Sequence, residues 1–569
     1  MKSRTVRIVS IALALVMLLT LVAGCAPKEV PTPAPTKETP EPSPTTAPEP
    51  IKPPTEEKRI VRISVFRDPG VPNPYGRTPR GWGAYFVGFV FDSLIYSDEK
   101  GPIPWLAKDW EISDDGLTYI LTLRDDVKWH DGEKFTANDV VFTFNYLKKH
   151  KNPYYSISNV QKATALSDYK VEIKLKEPSV PFLSEVLGGP SGIPIIPEHI
   201  WSKVDDPKKF HSKNFEASLI GTGPYILKEY NKERVSYRFV ANPAYWWGKP
   251  AVDEIHVVPV SQMEVALLNG VIDVCSVSQE NIHMFKDKPE FTIMLNKPTP
   301  VYWITFNLHN EVLGNKEFRH AVAHAINQQE FVSRFTGGIG MVVPQGGMPL
   351  PAKYRNTNVR QYDYDPEKSR TILDSLGYKD TDGDGFREKP DGSPLKFKMI
   401  ASTGAARVAE LVKIHLNKVG IKVNIQTFPI KKVDQMVKEG KGFDMLLNQG
   451  GAGLFARDPD LLRKHFRPGA EATPPHACAV GFNNEEFNQL ADAQRGTMNE
   501  AARREMVNRM QEIIAEELPI FYIFASRSYG VFNNTVHDGF FYPYDFQFCF
   551  LNKLAYLREH SEHEVVVPK

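Results

Sequence analysis

The chain has 569 residues, 69 Lys+Arg against 68 Asp+Glu and 42% hydrophobic residues. This balance excludes a wholly disordered or collagen-like chain, and a net charge of +1 removes the basic footprint of a nucleic-acid binder. Four cysteines are too few for a disulfide scaffold, and at roughly 100–200 residues per domain the length allows about three to five units large enough to fold without one.

The N-terminus departs from that average. Lys2, Arg4 and Arg7 precede an apolar run from Ile8 to Val22, and Ala23-Gly24 leads into Cys25. This is the order of a secretory signal, with a run shorter than the ~20 residues of a spanning helix. Val22-Ala23-Gly24-Cys25 resembles a bacterial lipobox, which implies removal of residues 1–24 and acylation of Cys25. Residues 25–58 are dominated by Pro, Thr and Glu and carry almost no apolar residues, so they read as an extended, disordered tether holding a folded body off a lipid surface.

Globular patterning begins at Arg59. Ile60 to Phe66 alternates as a strand, and Thr118 to His130 contains another after the turn Asp114-Asp115-Gly116. Thr136 and Asp139 are spaced as a capping box for a helix running through Lys149. Lys170 to Leu175 reads as a strand, and Gly221-Thr222-Gly223 as a tight turn before an alternating stretch from Tyr225 to Phe239. Lys316 to Phe335 has the apolar spacing of one helix, stopped by Gly337-Gly338, and Asp365-Pro366 opens a helix closed by Gly377. Strands at Lys396 to Ile400 and Ile421 to Phe428 flank a helix at Ala405 to Val419, and Glu500 to Glu517 is a helix before the strand Ile520 to Phe524. The fold class is α/β, with strand-helix-strand units that imply parallel strands.

Between these elements lies one metal-loop pattern. Asp380, Asp382, Asp384, Glu388 and Asp391 occupy positions 1, 3, 5, 9 and 12 of an EF-hand-like loop, with Gly385 at the turn and the Phe386 carbonyl at position 7. Hard oxygen donors at this spacing suit a structural Ca²⁺, although position 12 is Asp, not Glu, and the flanking helices are only half present. A solvated acidic turn is the alternative. Cys275, Cys478 and Cys549 read as buried free thiols, and three of them leave one unpaired whatever the pairing.

The order of several blocks carries a resemblance. Leu106 to Phe144 reads LAKDWEISDDGLTYILTLRDDVKWHDGEKFTANDVVFTF, followed by IIPEHIW from Ile195, GTGPYIL from Gly221 and NPAYWWGKPAVDEI from Asn242. ITFNLHN from Ile304, FRHAVAHAIN from Phe318, YDPEKSRTILDSLGY from Tyr364 and LPIFYIF from Leu518 continue the series. Together they resemble the family 5 extracellular solute-binding proteins, the peptide/nickel-type receptors of ABC importers. The resemblance implies a two-lobed, periplasmic-binding-protein-like fold of three domains with a hinge cleft. Residues 59–105, 205–302 and 521–569 would form the first domain, 106–204 the second and 303–520 the third. Trp105, Trp110 and Trp129 are read as packing residues within that pattern.

The same resemblance implies a nonenzymatic, extracytoplasmic receptor on the cell membrane. It would act as a monomer, require no cofactor and pass a solute, foremost an oligopeptide, to permease subunits driven by ATPases. An oligosaccharide or other nonpeptide ligand, or a surface-sensor role, are the alternatives. In peptide-binding relatives an Asp before the Asp-Pro motif receives the ligand's amino group. Asp458-Pro459 matches that motif here, but Phe455 falls where the acid would be. Expected ligand contacts are Gln449, Phe455, Arg457 and Asp458 on one side and Trp82, Tyr85, Trp303 and Tyr544 as aromatic walls. A hydrolase is disfavoured because the chain lacks a Gly-x-Ser-x-Gly nucleophile and a His-Glu-x-x-His metal motif.

Overall fold

The computed structural model describes residues 58–65, 67–77, 82–98, 101–152, 154–188, 192–347, 350–450, 458–470, 479–542 and 549–559. The signal segment, Cys25 and the tether to Glu57 lie outside these residues, as do Phe455, Arg457, Cys478 and Tyr544.

Alternating strands assemble the first half of the chain. Ile60–Ile63 pairs in parallel with Glu254–Val257, followed in the same sheet by Ser236–Ala241 and Tyr225–Asn231. The stretch read as one alternating run from Tyr225 is therefore a hairpin, turning through Val235 at φ 52°. Helix Gly83–Val90 lays Phe86 and Phe89 edge-on against Phe239, each at 5.5 Å. Its C-terminal end meets the turn at Gly221, where a Cβ would stand 1.9 Å from the Val90 carbonyl oxygen; only glycine fits there. A second, antiparallel sheet orders Ala107–Ile112, Thr118–Leu123, Lys170–Leu175 and Val160–Ser167. Helix Ala137–Lys149 covers it, and Asp139 accepts the Thr136 N–H at 2.9 Å, the backward arm of the expected capping box.

The second half builds a six-stranded mixed sheet, ordered Met341–Val342, Ile520–Ala525, Val301–Phe306, Met445–Gly450, Lys396–Ser402 and Lys422–Phe428. The last three strands run parallel, with helix Ala406–Asn417 as a crossover. The helix expected over Lys316 to Phe335 is two helices, Lys316–His324 and Gln328–Thr336. Asn327 caps the second by accepting the Glu330 N–H, so a capping residue outranks continuous apolar spacing.

The hydrophobic cores separate in the same way. One continuous core joins the first two sheets and C-terminal residues of the stretches 540–541 and 549–556, whereas three cores draw only on residues 301–525. The body thus has two lobes. Strands Val301–Phe306 and Ile520–Ala525 pair within the second lobe, so the expected boundaries at 302/303 and 520/521 cut through one sheet. The chain crosses between lobes at 296–300 and returns at 526–528. These crossings pair with each other: Thr299 N–H donates to the Ser526 carbonyl at 2.7 Å, Ser526 N–H to Pro300 at 2.8 Å and Asn296 N–H to Ser528 at 2.9 Å. They continue into a small sheet of Val274–Val277, Tyr529–Asn533 and Phe291–Leu295. Cys275 and Cys549 are buried free thiols, and burial pushes the Cys549 thiol up to about 12. No helix among the described residues is long and apolar enough to cross a membrane.

Candidate interlobe binding site

The parallel strands of the second lobe end together at Ser402, Phe428 and Gly450, and the carboxyl edge of such strands is where open α/β sheets bind ligands. Gln449 lies at this edge, half-buried, its amide beside Gly404. Ser402 is 7% exposed and its hydroxyl has no hydrogen-bond partner among the described residues. The sequence carries no signal for Ser402; only the strand order brings it to this edge.

In the first lobe, Trp82 and Tyr85 stand at the start of helix Gly83–Val90. Trp82 is half-buried and meets Phe550 edge-on at 5.7 Å. Tyr85 is buried and lines a small cavity with Gly88, Tyr96, Tyr155 and Lys553. Behind that cavity Lys553 Nζ donates to fully buried Asp92, whose oxygens also accept Trp105 Nε1 at 2.7 Å and Thr222 Oγ1 at 3.3 Å.

Two expected contacts belong to the packing instead. Trp303 is 1% exposed; its Nε1 donates to Thr305 Oγ1 at 3.2 Å and its ring lies against Gly450 and Tyr522. Its strand is paired on both edges, so the side chain is enclosed by the sheet's own neighbours. Asp458 is equally enclosed. Arg503 Nη1 donates to it at 2.9 Å, Arg503 Nη2 takes the other oxygen, and that oxygen also accepts the Asp460 N–H at 2.9 Å. Asp458 thus anchors the start of helix Asp460–Phe466, and both its oxygens accept hydrogen bonds within the lobe.

The lobes touch along one margin. Val180 N–H donates to the Arg495 carbonyl at 2.8 Å, Pro178 packs against Gly496, and Met498 lies against Gly116. Deeper in, Lys464 Nζ donates to Glu185 Oε2, a contact between residues 279 apart that no sequence motif announces. Burial beside Asp458 and Asp460 pushes the Glu185 carboxyl up to about 7, more than the Lys464 charge pulls it down. Lys464, facing three carboxylates, is held above its ordinary value despite its own burial. Outside this contact lies an opening bordered by Glu177, Arg463, Asp492 and Arg495.

Of the six residues of the acidic loop, three converge. Oxygens of Asp380, Asp382 and Asp384 lie within 4.8 Å of one another, all exposed. Asp380 accepts the N–H groups of Gly383 and Gly385 at 2.7 and 3.1 Å, and Asp384 accepts that of Phe386 at 2.8 Å. Glu388 turns instead to Thr381, accepting its N–H at 2.8 Å and its hydroxyl at 2.7 Å. Asp391 turns to Ser393, accepting its N–H at 2.9 Å and its hydroxyl at 2.6 Å. The six-ligand set read from spacing is therefore a three-carboxylate cluster here, because strand-like bridges of Glu388 with Lys379 and Pro394 hold the loop's second half away.

The chain thus folds as two lobes that meet along one margin. Residues 101–471 match the bacterial extracellular solute-binding proteins, family 5 (middle region), and the chain belongs to this family. It is 25% identical over 475 residues to di/tripeptide-binding protein 2 of Pseudomonas aeruginosa, covering 76% of this chain and 85% of the relative. It is 26% identical to the nickel-binding periplasmic protein of Escherichia coli, covering 79% and 86%. The mannohexaose-bound periplasmic oligopeptide-binding protein of Thermotoga maritima superposes with a TM-score of 0.67 at 25% identity, covering 84% of this chain and 92% of that one. The protein is accordingly an extracytoplasmic solute-binding protein, not an enzyme.

Proposed function

We propose that this chain is the lipid-anchored receptor of an ABC importer. Cys25 holds the body to the membrane, the cleft between the lobes captures an oligopeptide, and hinge closure presents the loaded body to permease subunits. The observation that supports capture by closure is the interlobe margin itself, where Val180 meets Arg495 and Glu185 meets Lys464. A ligand drives such closure only through its better affinity for the closed form. The peptide reading draws on the di/tripeptide-binding relative.

A nonpeptide ligand is the second reading, and Phe455 favours it. Phe455 stands in the sequence where the resemblance puts the amine-binding Asp, and a buried ammonium without a carboxylate is costly, so a peptide amino terminus needs another acceptor here. The relative that holds mannohexaose gives the alternative a concrete class. Native mass spectrometry of the purified protein, followed by thermal shifts with tripeptides, mannohexaose and Ni(L-His), separates the readings. A copurified peptide, or stabilisation by tripeptides alone, supports the first; stabilisation by the oligosaccharide or the nickel chelate replaces it with the second. Intact mass of the membrane-extracted protein tests the anchor: a diacylglyceryl adduct on a chain starting at Cys25 is expected, and an unmodified chain rejects it.

We also propose that Asp380, Asp382 and Asp384 hold a structural Ca²⁺, with the Phe386 carbonyl as a further donor. Three carboxylates converging on hard-oxygen geometry support it.

A further inference from the structure

Closure carries Glu185, on the turn Phe182–Val186, into a site on the second lobe that is already charged. Two carboxylates wait there, and each has its own cation. Asp458 is held by Arg503, while Asp460 is held by Arg463 Nε at 2.6 Å and Nη2 at 3.0 Å. Gln494 links the two, donating to Asp460 at 3.0 Å and accepting from Arg503 Nε at 3.0 Å. Arg495 gives the lobe contact its carbonyl, and its charge bears on Asp460. Lys464, 3.8 Å from Asp460, is the cation in direct contact with the incoming carboxylate, and the Arg463 charge also bears on Glu185.

We propose that Lys464 is a positioning residue for closure: its ammonium is the counter-charge that lets Glu185 be covered when the lobes meet. The physical warrant is an asymmetry. Removing one partner of a covered ion pair leaves a stranded charge, whereas removing both costs little. Lys464 therefore matters because Glu185 is there. The idea rests on the reading of this chain as a hinge-closing receptor, and it assigns the regulation of that motion, not the ligand.

The test reads closure without any solute. Gly496 has its ideal Cβ 3.6 Å from the Pro178 Cβ, within disulfide reach, so Pro178→Cys with Gly496→Cys reports lobe contact as a crosslink. Crosslinked 178–496 peptide is followed by mass spectrometry under one oxidant at constant pH, about pH 8, where Glu185 is ionised. Lys464→Met is expected to slow crosslinking about tenfold, and adding Glu185→Gln to return it to within about threefold of the starting rate. Lys464→Arg, which keeps the charge, is expected to crosslink like the parent. A Lys464→Met rate equal to the parent's overturns the assignment, as does a double variant as slow as the single one. A parent that never crosslinks overturns it too, because the margin then is not a contact. The double variant and Lys464→Arg separate stranded charge from misfolding, since a fold defect at position 464 is not repaired from position 185. Unchanged rates would leave the importer reading standing, and failure of every solute in the binding panel would leave the crosslinking result intact.

Discussion

Two carboxylate–lysine pairs, one inside a lobe and one between lobes, are built to different specifications. Asp92 and Lys553 are both deeply buried, and Asp92 collects donors from Trp105, Thr222 and Trp246 besides the ammonium. Lys553 also faces the Trp105 ring at 4.7 Å. Glu185 and Lys464 keep 19% and 30% of their side chains exposed, and Glu185 finds a single donor among the described residues. A permanent pair is surrounded until neither charge has anywhere better to go. A pair that must part keeps water nearby, so the open form recovers its solvation at little cost.

The comparison is most directly broken at its permanent member. Lys553→Met strands Asp92 in a dry core and is expected to cost about 3–5 kcal/mol in urea unfolding, whereas Lys464→Met should move global stability by less than about 1 kcal/mol. Equal losses would erase the distinction between the two pairs. Next in size is calcium. Millimolar Ca²⁺ is expected to raise the melting temperature, by an amount equivalent to about 2–3 kcal/mol if the ion is at a hundredfold excess over its dissociation constant. Asp382→Asn should diminish that shift and Asp391→Ala leave it intact, because the Asp391 carboxylate faces Ser393. No shift with Ca²⁺ would return the cluster to a solvated turn.

Acidity sharpens the gated pair. Glu185 sits at about 7 where the lobes meet, against an ordinary 4.5, so the proposed closure would take up a proton that opening releases. The closed form gains on the open one as pH falls from about 7 towards 4.5, and loses that advantage as pH rises through about 7. Small-angle scattering at about pH 5 and about pH 8 should show the smaller radius at the lower pH, and Glu185→Gln should flatten this difference. A difference that survives Glu185→Gln belongs to another group. A modest effect is expected away from both pairs: Asp139→Ala, which removes the acceptor for two backbone N–H groups, should cost about 1–2 kcal/mol in thermal unfolding without altering crosslinking.

Local rules made much of the fold legible. Asp365 caps helix Pro366–Ser375 by accepting the Lys368 N–H, and Glu500–Glu517 forms at the expected bounds, because caps and periodicity act within a few residues. The break at Asn327 was equally local but hidden under apolar spacing. The site was less legible. Trp303 and Asp458 sit in segments that mark the family, yet sheet pairing and Arg503 enclose them, and neither fact is written near them in the chain. The Glu185–Lys464 contact depends on two lobes meeting, so no spacing within either segment encodes it.

The crossings at 296–300 and 526–528 have a mechanical consequence. Because they hydrogen-bond to each other, the lobes are joined by a two-stranded ribbon, not by two independent cords. A ribbon flexes readily out of its plane and resists shear and in-plane rotation, which would break its rungs. In the proposed closure, such a ribbon would guide residue 185 back towards residue 464.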